Sequence, residues 1–347
     1  MSVTVCIPTY NGAAHIRECL ESVSSQTFDD IDILIVDDCS TDETTDVITH
    51  YQSQDSRVRF VRNPHNLGLM GNWQRCIELS NGDYIKFVFQ DDVLYPRCIE
   101  SLMDAMKYDV RFAFCAREFI FESGTNENLV AGFERGRKRI DALFAETRLI
   151  SPESFCRAVV FTMPRNIVGE PTVTLMHRDA LATYGRFNPD FLQILDLEYW
   201  CRIGTNEAIY YVPEVLAKFR LHPTSETSRN LSRRLYEAEV IDRLLLLHEF
   251  AFSPVFAHLR ELARRGRPRI NFTDWFYEES HWAVTAARER ADTNSNRDST
   301  DLEALKAAGS RYPAVVQKVP LQYGLARKWR SLKVLLGFKS PYRFELH

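Results

Sequence analysis

In IKFVFQDDVLYP, Ile85 to Pro96, two adjacent acids, Asp91 and Asp92, follow Gln90 where an apolar run breaks off before a proline. Two earlier apolar segments end in the same manner. Val3–Pro8 runs into Thr9-Tyr10-Asn11-Gly12, and Ile31–Val36 runs into Asp37-Asp38-Cys39-Ser40-Thr41-Asp42. Taken singly, such residues cap a following helix or mark a turn, as Asn-Gly does. Taken together, three strand ends carrying carboxylates, hydroxyls and amides are expected to serve one ligand. Farther along, ILDLEYWCRIG (Ile194 to Gly204) carries Asp196 at the start of a helical pattern and Glu198 inside it, four residues before Arg202. Asp196 has the form of an N-cap, and Glu198 suits a salt bridge to Arg202. KFRLHPTSETS, Lys218 to Ser228, holds the lone histidine His222.

The elements that must position these residues follow from periodicity. Val3–Pro8 is a short β-rich run. Ala13–Ser25 places Ile16, Leu20 and Val23 at helical spacing, and Ile31–Val36 is again apolar. Arg57–Val61, Tyr84–Phe89 and Val110–Cys115 add strands, and Met70–Leu79 adds a helix. Alternation of this kind predicts an α/β fold, a mostly parallel sheet flanked by helices. Ligands of such sheets bind beyond the carboxyl ends of the strands, where the polar residues of the first paragraph fall.

The chain has 347 residues, 45% hydrophobic and 26% charged, with a net charge of -4. That is the composition of a globular protein long enough for about two domains, and it speaks against a nucleic-acid partner. The N-terminus has no cationic leader before an apolar stretch, and no apolar run reaches the 18 residues of a membrane span. Cys6, Cys19, Cys39, Cys76, Cys98, Cys115, Cys156 and Cys201 show no CxxC spacing and read as reduced core thiols of a cytoplasmic protein.

SVTVCIPTYNG, SVSSQTF, IDILIVDDCSTDET, NPHNLG, NGDYIKF and QDD followed by VLYP resemble, in order and spacing, the motifs of family 2 glycosyltransferases, which have the GT-A fold. The resemblance covers about residues 2–225. It implies transfer of a sugar, with inversion, from a nucleotide-sugar donor to an acceptor hydroxyl. It further implies that Mn²⁺ or Mg²⁺ neutralises the departing diphosphate, an ion held by one or two carboxylates with phosphate and water completing its shell. The family's Asp-any-Asp metal motif falls on Phe89-Gln90-Asp91, so its first aspartate is missing. Asp91 takes the position of the direct metal ligand and Gln90 that of a residue near the ribose. Asp92 is the adjacent acid, reaching the ion through water or capping the following helix. His222, in the pattern Arg220-x-His222-x-x-Ser225, stands where relatives have a histidine that reaches the metal or the diphosphate.

By the same resemblance, Pro8, Thr9 and Tyr10 lie beside the base, and Asp38 accepts from the base imide N–H, which favours UDP- or dTDP-sugars. Asp37 is expected to be a structural carboxylate at its strand end. Asn66 and Gly68 shape the pyrophosphate side, and Gly169 with Glu170 forms a loop over the donor sugar. Asp196 corresponds to the family's general base. The alternatives are a sugar-nucleotide nucleotidyltransferase, which a missing glycine-rich activating loop disfavours, and a sugar-nucleotide-binding subunit that has lost catalysis.

The expected domains are 1–228, nucleotide-sugar-binding and catalytic, and 229–347, a helical C-terminal extension for packing, homo-oligomerisation or membrane-surface contact. RLYEAEVIDRLLLLHEF and FAHLRELARR have the apolar stripes of packed helices. Residues 288–300 read as a polar connection. Residues 318–343 form a basic amphipathic segment that is either an ordinary helix docked on the protein or one suited to an anionic membrane surface; the protein is expected to be cytoplasmic, and in the second case peripheral at the inner face of the membrane, with a saccharide or lipid-linked acceptor in surface polysaccharide synthesis. ERGRKRI, Glu134 to Ile140, reads as a solvated basic loop.

Overall fold

The computed structural model describes residues 1–144, 147–266, 269–293 and 299–317. They separate into two compact units. The first is Met1–Asp190 with Leu195–Arg229, and the second is Phe191–Ile194 with the chain from Asn230 onward.

The first unit begins with three strand–helix repeats: β1 (Val3–Thr9), α1 (Ile16–Ser24), β2 (Ile31–Asp37), α2 (Thr44–Gln54), β3 (Val58–Arg62) and α3 (Gly68–Leu79). It continues through β4 (Tyr84–Phe87), β5 (Val93–Leu94), α4 (Cys98–Met106), β6 (Phe112–Phe121), α5 (Glu127–Phe144), β7 (Leu149–Ile150) and α6 (Pro152–Thr162). It closes with β8 (Thr174–His177), α7 (Asp179–Tyr184), α8 (Leu195–Gly204), β9 (Ile209–Leu221) and the start of α9 (Glu226–Arg233). All seven residues of β1 are buried, and so are six of the seven in β2. Strands covered on both faces need no polar alternation, which is why they read as continuous apolar runs.

Among the described residues the sheet has nine strands, ordered β3-β2-β1-β4-β8-β6-β9-β5, with β7 added on β9. The block β3-β2-β1-β4 is parallel, and β6 also runs parallel to β9. β8 is antiparallel to both its neighbours, and β5 and β7 are antiparallel to β9. The expected α/β architecture of a sheet flanked by helices is therefore the one observed, with antiparallel pairings gathered in its second half. Thr9 pairs with Asp37 and Cys6 with Phe87, so the carboxyl ends of β1, β2 and β4 lie side by side. The three polar strand ends meet at one edge for that reason.

Two expectations are corrected. ERGRKRI is not a loop but the middle of α5, where Ile140 is buried and Arg137 pairs with Glu134 at 3.0 Å. A run of charges with apolar residues at helical spacing is compatible with a helix half in solvent. Likewise, residues 288–293 continue a helix and 299–300 begin another, and 294–298 lie outside the described residues.

The second unit is helical: α10 (Asp242–Phe252), α11 (Ala257–Arg265), α12 (Phe272–Thr293) and α13 (Ser299–Arg311). Leu244–Leu247 and Phe250 are buried in it, as the first apolar stripe predicted, and so are Trp275 and Phe276. Asp242 accepts backbone N–H groups of Leu192 at 2.9 Å, Gln193 at 2.5 Å and Ile194 at 3.0 Å. Burial pushes its carboxyl up to about 6 against those hydrogen bonds. None of the described helices is long and apolar enough to cross a membrane. The basic segment 318–343 lies outside the described residues.

α8 carries Asp196 and is buried at every position except Arg202. Its last residue, Gly204, faces α6 so closely that a Cβ there would stand 2.7 Å from the ring of Phe155. Gly204→Ala is expected to lower unfolding stability by about 1–3 kcal/mol through overpacking. Gly132→Ala, on the open face of α5 with no atom within 4 Å of the new Cβ, should raise it by about 0.5–1 kcal/mol. Urea unfolding of the two variants beside the parent chain checks both signs.

Candidate functional site

The end of β4 organises the site. Asp92 is fully buried; its Oδ1 accepts the Arg220 backbone N–H at 3.0 Å, and its Oδ2 accepts the Thr172 hydroxyl in a short hydrogen bond. Lys86, also fully buried, donates to the Thr172 carbonyl and, at 3.4 Å, to that of Phe87. Burial, reinforced by the charge of Asp91, pushes the Asp92 carboxyl well above its ordinary range. Its expected place as a second metal acid is therefore corrected: Asp92 is an internal tie joining β4, β9 and the turn before β8.

That tie aims its neighbour. Asp91 Oδ2 lies 3.2 Å from His222 Nε2, beyond the ends of β4 and β9, and His222 Nδ1 lies 2.9 Å from Thr224 Oγ1. Arg220 donates through Nε to the Asp91 carbonyl at 2.9 Å and braces the loop, with Glu18 and, at 3.2 Å, Glu122 as its carboxylate partners. Around this pair, ligand atoms of His15, Glu122 and His222 all lie within 4.8 Å of one another. His15 and Glu122 were not foreseen. Their only signal is position: His15 follows the β1 end and Glu122 the β6 end. Burial lowers the pKa of the His15 imidazole, and Arg220 and His222 act in the same direction.

Phe89, where the family has its first aspartate, stacks on Trp73 at 4.9 Å between ring centroids, and Phe187 meets Trp73 edge-on at 5.5 Å. A carboxylate at position 89 would lie against aromatic rings with no cation partner.

Gln90, expected near the ribose, binds the end of β1. Its amide oxygen accepts from Thr9 Oγ1 at 2.6 Å and Tyr10 N at 2.9 Å, and its amide nitrogen donates to the Tyr10 carbonyl at 3.2 Å. It clamps the end of β1 to that of β4, with Pro8 and Thr9 buried and Tyr10 exposed. Gly12 makes room for it, since a Cβ there would be 2.2 Å from the Gln90 oxygen.

Asp38 also faces inward. It is 2% exposed, and it accepts from Asn63 Nδ2 at 2.9 Å, Leu67 N at 2.8 Å and Gly68 N at 2.9 Å. Asn66 donates to the Asp38 carbonyl at 3.2 Å, and its own side-chain oxygen accepts from Gly68 N at 2.9 Å. Gly68, at φ +75°, takes the left-handed conformation that lets both N–H groups converge on one carboxylate. The base contact expected of Asp38 is thus replaced by a loop anchor, and Asn66 and Gly68 are parts of that loop's own hydrogen bonding. Asp37 caps Ser40 N at 2.9 Å, the structural part expected of it.

A second cluster surrounds Asp196. Asn166 donates to Asp196 Oδ2 at 2.9 Å and to the Gly169 carbonyl at 3.1 Å, and Trp200 Nε1 donates to the same carbonyl at 2.9 Å. Gly169 has φ +124°, and a Cβ on it would lie 2.5 Å from Arg117. Arg117, buried within β6, grips Glu170 at 2.5 and 3.1 Å. Burial pushes the Asp196 carboxyl up to about 7; Glu170 adds to the rise, and the Leu197 N–H and Arg117 oppose it. Glu198 is held by Arg202 at 2.7 and 2.5 Å, as its spacing suggested. The charge of Glu170 acts on both Asp92 and Asp196, so the two clusters are electrostatic neighbours. Arg117 had a signal in the sequence, a cation inside an apolar strand; Asn166 had none.

Asp38→Ala is expected to cost about 2 kcal/mol, since three donors lose their acceptor, and to raise hydrogen exchange at Leu67 and Gly68. Exchange unchanged at both amides would count against the anchor.

Comparison with known proteins agrees with this architecture. Residues 4–168 match the family model for Glycosyl transferase family 2. The chain is 28% identical over 254 residues to the uncharacterized protein MT1568 of Mycobacterium tuberculosis, covering 73% of this chain and 76% of that one. It is 34% identical over 120 residues to the uncharacterized glycosyltransferase YibD of Escherichia coli, covering 34% of this chain but only 35% of YibD. Among solved structures, residues 1–349 of S. aureus TarS in complex with UDP-GlcNAc superpose with a TM-score of 0.59 at 16% identity, over 89% of this chain and 80% of that one. The mannosyltransferase PcManGT of Pyrobaculum calidifontis, with GDP-Man and Mn²⁺, superposes with a TM-score of 0.51 at 16% identity, over 96% and 84% of the two chains. Over residues 4–168, just under half of its length, the chain is therefore similar to glycosyl transferase family 2.

Proposed function

We propose that the chain is an inverting glycosyltransferase that moves a sugar from a UDP- or dTDP-sugar to a hydroxyl of a saccharide or lipid-linked saccharide, in the synthesis of a surface polysaccharide. The observation that carries this reading is the meeting of Asp91 and His222, 131 residues apart in sequence, at 3.2 Å on the ligand-binding edge of the sheet. A carboxylate and an imidazole at that separation fit a divalent cation, Mn²⁺ or Mg²⁺, which when bound offsets the negative charge of the departing nucleoside diphosphate.

The chain's own residues take the remaining tasks. Tyr10 is 41% exposed beside the clamp of Thr9 and Gln90, and it offers a ring face to the base. The Gly169–Glu170 loop, fixed by Arg117, Asn166 and Trp200, bounds the donor sugar. Asp196, with a carboxyl near 7, is poised to take the acceptor hydroxyl's proton on the face opposite the diphosphate. Asn166 aims Asp196 by holding one of its oxygens. With Asp38 turned inward, the preference for uracil or thymine is supported by the UDP-GlcNAc complex of TarS, and the GDP-Man complex of PcManGT makes a guanine donor the comparison to run.

Nucleoside diphosphate release from UDP-, dTDP- and GDP-sugars, with and without Mn²⁺, tests the reading. Release from a UDP- or dTDP-sugar that depends on the cation is expected. Pyrophosphate made from a nucleoside triphosphate and sugar phosphate would instead reveal a nucleotidyltransferase, and binding without turnover a subunit that has lost catalysis.

Asp196→Asn should lower kcat by about 10²- to 10⁴-fold, the usual range for a lost general base. The base must be ionised to act, so kcat should rise with pH to a plateau, with a midpoint near 7 in the parent chain. Glu170→Gln removes a negative charge that raises this carboxyl and should move the midpoint down. A pH–kcat profile that is flat through 7, or moves up in Glu170→Gln, would remove Asp196 from the role.

A further inference from the structure

We infer that His15 and Glu122 complete the cation site of this chain, making it a two-imidazole, two-carboxylate centre with His222 and Asp91 that prefers Mn²⁺ and later transition metals to Mg²⁺. The inference rests on the placement of the cation proposed above and adds its ligands and its metal preference.

Three observations meet here. First, the aspartate that would begin the family's metal motif is Phe89, packed on Trp73, so this side of the site offers one acid only, Asp91. Second, the cluster of His15, Glu122 and His222 sits beside that acid: each offers a ligand atom within 4.8 Å of the other two, and Asp91 Oδ2 is 3.2 Å from His222 Nε2. Ligands about 2.1 Å from a common ion stand about 3 Å apart when adjacent and about 4.2 Å apart when opposite, so the spacing of His15, Glu122 and His222 comes near that of a shared ion, with Asp91 adjoining the group through His222. Third, two of these side chains have polar partners of their own. Thr224 Oγ1 lies 2.9 Å from His222 Nδ1, leaving Nε2 toward Asp91, and Arg220 Nη1 holds one oxygen of Glu122 at 3.2 Å. Outer hydrogen bonds of this kind orient metal ligands.

The four side chains come from different elements: the turn before α1, the loop after β4, the end of β6 and the end of β9. The rings of His15 and His222 stand 5.0 Å apart, tilted by 50°. The Arg220 guanidinium is balanced by Glu18 and Glu122, so it does not leave an unmatched cation against the site. Imidazole nitrogen suits Mn²⁺, Co²⁺ or Zn²⁺ better than Mg²⁺, which keeps to oxygen ligands and retains its water.

The test uses the full chain, stripped of metal and titrated with Mn²⁺, Co²⁺ and Mg²⁺ by calorimetry without nucleotide. Mn²⁺ is expected to bind at least about tenfold more tightly than Mg²⁺, and His15→Ala and Glu122→Gln each to weaken Mn²⁺ binding by about 10- to 100-fold, the range typical of a lost ligand or its support. Melting temperatures in EDTA matching the parent chain identify variants that remain folded. Electron spin-echo spectra of Mn²⁺ on the parent chain, which depend on no variant, are expected to show coupling to two imidazole nitrogens. One coupled nitrogen, or Mn²⁺ affinity unchanged in both folded variants, would overturn the inference while cation-dependent transfer through Asp91 and His222 could still be observed. Two coupled nitrogens without turnover of any sugar nucleotide would leave the centre in place and remove the proposed function instead.

Discussion

The buried carboxyl of Asp92 is the constraint on which the candidate site depends. It accepts from the Arg220 main chain on β9 and from the Thr172 hydroxyl ahead of β8, and Lys86 grips the Thr172 carbonyl from the same strand that leads to Asp92. A fully buried acid left without these donors would carry a large desolvation cost, so the three segments are strongly coupled. Register then does the rest. With Asp92 fixed to Arg220, Asp91 points to His222, and with Thr172 fixed, the Gly169–Glu170 loop stands between β6 and α8. The adjacent acids of the sequence divide the work: Asp92 is a buried tie, and Asp91 turns toward His222.

The same division recurs along the ligand edge. Asp37 and Asp38 end β2, and both are spent on backbone: Asp37 on Ser40, Asp38 on Leu67 and Gly68. Gln90 is spent on the end of β1. Carboxyl ends of parallel strands leave several N–H groups pointing at one edge, and short polar side chains are the cheapest way to satisfy them. Tyr10 is left exposed at this edge, while Asp91, His222, His15 and Glu122 gather into one cluster, in which Glu122 also serves Arg220. A polar strand end is therefore a reliable marker of the edge and a poor guide to which of its residues meets a ligand.

Around Asp196 the controlling term is solvent exclusion. Leu195, Leu197, Tyr199 and Trp200 bury α8, and the carboxyl is carried into the interior with them. Its rise to about 7 follows chiefly from that burial, with Glu170 adding to it. The positive charge of Arg117, which grips Glu170, opposes the rise. A buried acid near neutrality, held in place by Asn166, has the properties a general base requires. Fold likeness at 16% identity carries the architecture, while the donor and acceptor are set by side chains that differ from protein to protein.

Periodicity marked β1 to β4 and β6, a mostly parallel sheet and the edge where function should lie, because burial on both faces writes continuous apolar runs into the sequence; the antiparallel pairings of β5, β7 and β8 came only with the tertiary structure. The salt bridge of Glu198 with Arg202 and the cap of Asp37 were equally legible, since local spacing governs both. Which way each polar side chain turns was decided only by tertiary contacts. Asp92 found Arg220 128 positions away, Gln90 found Thr9 81 positions away, and His15 came to face His222 through the packing of β1 against its neighbours. No local pattern encodes such pairings: a carboxylate or an imidazole looks the same in sequence whether it meets a backbone N–H or open solvent. The helix through ERGRKRI was missed for a related reason, because its few apolar contacts become visible only once the sheet supplies a surface for α5 to cover.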